Sequence, residues 1–418
     1  MESTKRFFTN LELTSSTMQN NQSNIAFVGS LVPDVSEHHN SAFSRAGNQF
    51  QINLIKSLIS NSVNITKVVS FLPIPSYPAS DTVLVNGRSL QIDGVGLVDC
   101  VGYLNIKLFK QVLIGINICL RLSKWWLKGP RNHSYMVYMY NLSVPPGAII
   151  FGFCKIFGIK LVASLNDINV PGSTIANNFY STIDYWQQKL VIPRLDGRVA
   201  VCDKMMYDLA KNSHYIRVEG GIEPEIFRVT SIHKPREDKF TILTAGLLYD
   251  LNGINEILNA FKMLIGEKYE LIIAGTGPLL STVLDAAKSD KRIQYVGFIE
   301  FGELLKLYQK ANLLICMRPT KNIKTDYFFP SKILEYLASG TPTLTTNTGH
   351  IGAEFKDFCF ILEDESAEGL GKMICKIEEM PREYLNALGI KARNFLLQQK
   401  SWFNQGERIS KYIKSLNK

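Results

Sequence analysis

The chain has 418 residues, 46% of them hydrophobic and 20% charged, with a formal net charge of +9. That length asks for about two or three domains, and that composition is ordinary for soluble globular ones. No stretch approaches about 20 uninterrupted apolar residues, so nothing is expected to span a membrane. The seven cysteines are scattered and form no C-x-x-C pair, which favours reduced core thiols over a disulfide framework or a cysteine metal site. The histidines are dispersed too, and the His38-His39 pair sits in a polar stretch, so no metal is expected.

Residues 1–23 are rich in Ser, Thr and Asn and are expected to be a disordered tail. They lack the apolar core and small-residue cleavage site of a signal peptide. Asn24 to Gly29 is a short apolar run ending in Gly29-Ser30, as in the first strand of a parallel sheet with its loop at the carboxyl edge. A helix is expected over 44–60 and a strand over 63–71, and the Gly-spaced 83–101 suggests strand plus loop. Residues 105–127 are helical in pattern, basic on one side, and end near Trp125-Trp126. A buried strand over 134–140 and a helix opened by Pro145-Pro146-Gly147 follow. The strand over 159–165 delivers Asn166-Asp167 to a loop. A helix within 174–190, a strand over 197–202 and the Gly220-Gly221 turn close this half.

The net charge is unevenly placed. From Cys100 to Asn166 there is no Asp or Glu, while Lys107, Lys110, Arg121, Lys124, Lys128, Arg131, Lys155 and Lys160 fall there. Such a stretch favours an anionic partner. With Trp125-Trp126 as an aromatic edge, the expectation is reversible docking on an anionic membrane surface. No nucleic-acid recognition motif accompanies the charge, so no nucleic-acid partner is expected.

The polar stretch 230–239 is expected to be the interdomain linker. After it, strands over 240–245, 269–274, 293–298, 313–317, 341–346 and 358–362 alternate with helices, the pattern of βαβ units and a parallel sheet. The fold class is therefore α/β, with two Rossmann-like doubly wound domains facing across a cleft. They take residues 24–228 and 229–395, and a C-terminal helix in 396–418 packs back on the first domain. Ligands bind outside the carboxyl ends of strands in such sheets. Gly29, Asn166-Asp167, Gly221, Gly246, Gly275 to Gly277 and Arg318 all fall at such ends.

The stretch that organises the rest runs from Tyr327 to Pro342. Pro330 suits a first helical position, and Gly340 can take the positive φ that closes a helix. Lys332 stands in the first turn, where the helix dipole is already positive, which invites an anion. Glu335 is three residues on, on a common face, and could accept hydrogen bonds from ribose hydroxyls.

These residues resemble the nucleotide-sugar half of retaining group 1 (family 4) glycosyltransferases of the GT-B fold. The resemblance runs from Phe240 to Thr346 through Ala245-Gly-Leu-Leu, Asn252-Gly253-Ile, Ile273-Ala-Gly-Thr-Gly-Pro278, Tyr295-Val-Gly-Phe298 and Phe329-Pro-Ser-Lys-Ile-Leu-Glu-Tyr336. Val199 to Cys202 and Glu219 to Phe227 match more loosely. Arg318-Pro319 and Phe329 to Lys332 are most similar to the polysaccharide-assembly members. The resemblance implies a donor site of Gly29, Gly221, Gly246, Asn252, Gly275, Gly277, Phe298, Ser331 and Glu335. It implies Arg318 and Lys332 on the leaving pyrophosphate, and Asn166 or Asp167 orienting the acceptor hydroxyl or the sugar.

Four positions depart from the family. Tyr327 stands where many members carry a Glu, Leu247 and Asn252 where many carry Arg and Lys, and Asn166 where a His is frequent. The implied function is transfer of a sugar, with retention, from a UDP- or GDP-sugar to a lipid-linked or oligosaccharide acceptor, in surface polysaccharide or glycan synthesis. No metal or other cofactor is expected to be required. The expected place is the cytoplasm, peripheral on the inner face of the cell membrane. A nucleotide-sugar epimerase of the same fold and an inactive GT-B scaffold are the alternatives left open.

Overall fold

The computed structural model describes residues 23–33, 44–107, 109–143, 145–168, 170, 179–223, 226, 238–321 and 324–417. Two compact units emerge. The chain leaves the first unit after Val218 and re-enters it at Gly406, and Val201–Lys204 belongs to the second. The linker expected over 230–239 lies, as far as residue 237, outside the described residues, as does the tail up to residue 22.

The first unit holds strands β1 (Asn24–Gly29), β2 (Ile65–Ser70), β3 (Leu84–Val85), β4 (Arg88–Ile92), β5 (Gly96–Cys100), β6 (Tyr103–Leu104), β7 (Tyr135–Tyr140), β8 (Lys160–Leu165), β9 (Gly197–Ala200) and β10 (Ile216–Arg217). Eight of them form one sheet in the order β10-β9-β8-β7-β1-β2-β5-β4, parallel throughout except for the β4–β5 hairpin at its edge. β1 is buried at all six positions and β8 at five of six. Burial on both faces explains why these strands read as unbroken apolar runs and not as alternating ones.

Its helices are α1 (Arg45–Ser60), α2 (Lys110–Lys128), α3 (Pro146–Ile156), α4 (Phe179–Val191) and α5 (Asp203–Leu209). Ser44 caps α1, its hydroxyl accepting from the Gly47 amide at 3.0 Å. α2 begins five residues later than the apolar pattern suggests, because residues 103–106 are taken by β6 and by a bridge from Ile106 to Tyr77. α2 packs on α3 where Gly115 lets Pro146 and Ile149 come close; a Cβ there would sit 2.8 Å from Ile149.

The second unit carries β11 (Phe240–Leu247), β12 (Tyr269–Thr276), β13 (Ile293–Gly297), β14 (Leu313–Cys316), β15 (Thr343–Thr346) and β16 (Phe360–Leu362) in a fully parallel sheet ordered β13-β12-β11-β14-β15-β16. Helices α6 (Ile254–Met263), α7 (Leu280–Ser289), α8 (Phe301–Lys310), α9 (Lys332–Ser339), α10 (Ile351–Glu354), α11 (Ala367–Glu378) and α12 (Arg382–Gln399) cover it. Two apolar clusters fill the layers on its faces, one built on Leu271, Ile315 and Phe261, the other on Leu314, Leu337 and Phe355. Strand order reverses between β11 and β14. The carboxyl ends of that pair are therefore the crevice at which an open α/β sheet takes a ligand. The last helix, α13 (Trp402–Ser415), gives its first turn to the second unit and the remainder to the first. There Tyr412 accepts from the Arg198 amide at 2.9 Å and donates to the His214 carbonyl at 3.0 Å.

Candidate active site

The reversal between β11 and β14 gathers the cations of the second unit. Arg318 follows β14, and its backbone is clamped from β15. The Arg318 amide donates to Thr346 Oγ1 at 3.0 Å, and that hydroxyl donates to the Arg318 carbonyl at 2.8 Å. Two residues on, Glu365 accepts from the Thr320 amide and hydroxyl at 2.6 and 2.7 Å, fixing the loop. Arg318 Nε is buried with no hydrogen-bond partner, and burial lowers the guanidinium's pKa. A buried donor without a partner costs about 1–3 kcal/mol, so one left at the mouth of a crevice marks where an acceptor is missing.

Lys332 opens α9. Pro330 lies just before the N-cap Ser331 and not at the first helical position, because Ile333 and Leu334 make tight turn bonds back to Pro330 and Ser331. Gly340 ends the helix at φ +79°, as its residue type requires. No side chain caps the first turn, and the Ser331 side chain is exposed. The Lys332 ammonium donates to the Ala245 carbonyl at 2.5 Å, leaving two protons for another acceptor. Tyr336, one turn further along the same face, accepts from the Ala245 amide at 2.9 Å. Burial lowers the Lys332 pKa, and the positive charge of Arg318 lowers it further. Two half-buried cations that repel each other, beside an uncapped helix start, form an electrostatic hole for an anion.

Glu335 is the carboxylate near this pair. Burial pushes it up to about 7, against the pull of Lys332. Glycines shape the rest. Gly246 has φ +119°, and a Cβ on it would lie 2.6 Å from Lys332 Nζ. Its register partner Gly275 has φ +126°, and a Cβ there would lie 1.8 Å from the Gly246 carbonyl oxygen. Gly277, at φ +157°, also lies against backbone, where a Cβ would be 2.4 Å from the Leu248 carbonyl oxygen. These three, with Arg318, Ser331, Lys332 and Glu335, are brought together by the carboxyl ends of β11, β12 and β14. Phe298 follows β13 on the same edge with 61% of its surface exposed. Asn252 spends its side chain on the Leu247 carbonyl at 2.6 Å, holding its own loop. Tyr327 is buried and Asp326 exposed, so the family's Glu position holds a packed ring here.

Two of the expected donor-site glycines have another use. Gly29 ends β1 against Gln51, whose oxygen would lie 2.1 Å from a Cβ. The amides that follow are already satisfied: Ser30 donates to Gln51, Leu31 to Ser70 and Val32 to Asn48, at 2.7 to 3.0 Å. That loop has none of these three amides left for a phosphate. Gly221 admits Trp402, whose ring and backbone would stand 2.8 Å from a Cβ. Both are packing glycines, a distinction that composition cannot draw.

In the first unit, Asn166-Asp167 is organised by a residue the sequence reading passed over. Asn141 leaves β7 at φ +56°, and its oxygen accepts from the Asn166 and Asp167 amides at 2.8 and 3.3 Å. Its amide nitrogen donates to Asp167 Oδ2 at 2.9 Å, leaving the other carboxylate oxygen for a ligand. The signal was an Asn directly after a buried strand, since Asn tolerates the left-handed region.

A second unforeseen cluster lies inside the second unit. Glu219, fully buried, accepts from His350 at 2.8 Å and from Lys400 at 3.0 and 3.2 Å. Lys400 also pairs with Glu354 at 2.7 Å. Burial pushes Glu219 up, but the hydrogen bond from His350 and the charge of Lys400 outweigh it and hold the carboxyl below its usual range. Glu219, His350 and Glu354 could converge on a cation. The Lys400 ammonium already fills that role.

Comparison with known proteins agrees with this architecture. Residues 227–395 match the family model described as glycosyl transferases group 1. No curated protein matches by sequence. Among solved structures, sucrose-phosphate synthase from Thermosynechococcus elongatus aligns with TM-score 0.68 at 12% identity, covering 94% of this chain and 99% of its own. A glycosyltransferase from Rickettsia africae aligns with TM-score 0.66 at 14% identity, covering 94% and 98%. HepE from Anabaena, solved with UDP and glucose, aligns with TM-score 0.63 at 12% identity, covering 94% and 100%. At such identities these likenesses show the fold, two α/β domains with parallel sheets of the GT-B type. The match over 227–395 supports a group 1 glycosyltransferase.

Proposed function

We propose that the chain is a retaining glycosyltransferase that moves a sugar from a UDP- or GDP-sugar onto a lipid-linked or oligosaccharide acceptor at the cytosolic face of a membrane. The observation that carries the reading is the unpartnered Arg318 Nε beside Lys332 at the β11–β14 crevice, two cations with Glu335 the carboxylate near them. A leaving nucleoside diphosphate gathers charge on its terminal phosphate as the glycosidic bond breaks. Arg318 forks onto its oxygens, Lys332 supplies a point charge, and neither has to reorganise at that moment. Glu335 holds the ribose hydroxyls. The Asn141-anchored Asn166-Asp167 loop orients the acceptor hydroxyl or the sugar.

Calorimetry with UDP and GDP on the wild type, Arg318→Ala and Lys332→Ala tests the site. Each substitution should weaken binding by about 1.5–3 kcal/mol, the range for charged hydrogen bonds. Unchanged affinity in both variants overturns the assignment. Conversion of the donor to a new nucleotide sugar without any acceptor makes the protein an epimerase. Donor binding without turnover on any acceptor makes it a scaffold.

A further inference from the structure

α2 has two apolar faces. One is buried through Ile114, Ile118 and Leu122. The opposite one carries Phe109, Val112, Ile116, Leu120 and Leu127, spaced three, four or seven apart, so that they form one outward stripe. Leu120 is 55% exposed and Leu127 70%. A soluble helix keeps its outward face polar; a stripe this long, about 27 Å at 1.5 Å per residue, does not follow from folding. The stripe also has company. α3 ends in exposed Ile156 and Phe157, and α4 turns Ile183, Trp186 and Leu190 outward, opposite its buried Ser181, Asp184 and Gln188. Right-handed crossovers put α2, α3 and α4 on one face of the sheet, with α2 against α3 and α3 against α4.

The unpaired charge at the end of the stripe is basic, since Asp99 nearby is taken by Lys67 and Arg121. Lys124 and Lys128 flank Leu127 with no acidic partner among the described residues, and Lys189 lies over the Trp186 ring at 5.2 Å. A cavity of about 430 Å³ opens at the same end of α2, lined in part by Lys124, Lys128 and Trp125. The tryptophans themselves are engaged elsewhere. Trp125 donates to Thr66 at 2.9 Å and packs edge-on to Tyr135, and Trp126 packs on Phe157. Lys110 is buried and bonded to the Ile74 carbonyl, and Arg121 pairs with Asp99 at 3.6 Å. Among the described residues, the groups on this face without a partner are therefore the outward apolar stripe and the lysines at its end.

We infer that the outward face of α2, α3 and α4 inserts shallowly into an anionic bilayer, apolar stripe first, with Lys124 and Lys128 on headgroup phosphates. A second copy of this chain is disfavoured as occupant, because a twofold contact through this face sets lysines against lysines. An anionic headgroup layer meets the same lysines with opposite charge. This deepens the membrane-face reading above and rests on it.

The test is co-sedimentation with phosphatidylcholine vesicles and with vesicles of phosphatidylcholine plus phosphatidylglycerol, across a salt series. The proteins are wild type, Ile116→Ser/Leu120→Ser/Leu127→Ser, Lys124→Ser/Lys128→Ser, and Trp125→Phe. Circular dichroism and the UDP affinity of each variant check that the fold survives. Wild type and Trp125→Phe should bind the anionic vesicles, the triple serine variant at least about tenfold less, and the lysine variant should lose the salt dependence. Wild-type binding by the triple variant overturns the choice of face while leaving the membrane reading intact. Absence of wild-type binding to either vesicle overturns both. A dimer of the wild type that the triple variant abolishes, without vesicle binding, assigns the face to a second copy and overturns the proposal.

Discussion

Glu335 carries a titration that the unliganded protein cannot ignore. Burial pushes it up to about 7, so its carboxyl is half protonated near neutral pH. The sign follows from linkage. A carboxyl whose folded pKa is raised lends full stability below its ordinary 4.5 and loses it as pH rises through 7. Glu335→Gln removes the ionisation and keeps the shape. The variant should therefore melt at or above wild type at pH 8, by up to about 3 kcal/mol, and the gap should close by about pH 5. A pair of pH-resolved melting curves that run parallel removes this account of Glu335. The same substitution should raise the donor dissociation constant while leaving a measurable rate, because a ribose ligand positions and does not transfer protons. Loss of turnover at unchanged affinity assigns Glu335 a chemical role instead.

At the level of elements, the site is a consequence of close backbone approach. β11 and β12 meet at Gly246 and Gly275 in direct register, both at positive φ, and the Lys332 side chain runs through the space a Cβ on Gly246 would occupy. Gly246→Ala therefore costs twice, through a left-handed alanine and through a displaced ammonium. It should destabilise by about 1–3 kcal/mol and weaken nucleotide binding as Lys332→Ala does. Gly371→Ala, on α11 with only a 3.6 Å contact to meet, is the control expected to do neither. Stability lost with affinity retained breaks the link between that glycine and Lys332.

Much of this was legible in the chain. Doubly buried strands announce themselves as apolar runs, and Gly340 announces the end of α9. Lys332 stands out because a cation in a first turn asks for an anion. The illegible part is contact at long range. Nothing local tells a glycine that admits Trp402, as Gly221 does, from one that admits a phosphate. Nothing local shows that Trp125 finds Thr66, 59 residues away. Tyr336 was closer to reach: it follows Lys332 by four, and both report to Ala245.

For the molecule as a whole, the demanding places are where the chain passes from one unit to the other. Apart from the short excursion at Val201–Lys204, it crosses at Val218–Glu219 and again at Gln405–Gly406. Inside the second unit these two segments are joined. The Ile222 amide donates to the Lys400 carbonyl at 2.8 Å, Trp402 donates back to Ile222 at 3.2 Å, and Glu219 binds Lys400 beneath them. Glu219 and Lys400 are almost wholly buried, so each charge depends on the other. Lys400→Met fills the volume but removes the ammonium that pairs with both Glu219 and Glu354. The expected loss is about 3–5 kcal/mol, the usual result of stranding a buried charge. Its pH dependence identifies the cause. In the wild type the depressed Glu219 contributes stability above its ordinary 4.5 and surrenders it as pH falls. Without Lys400 the His350 hydrogen bond still lowers Glu219, but the share due to the ammonium is gone, so urea unfolding should show the variant's deficit largest near pH 7 and shrinking toward pH 4, where protonating Glu219 relieves it. A deficit of constant size across that range would mean that Lys400 acts through packing on Phe355, over which its ammonium lies at 5.6 Å, and not through charge.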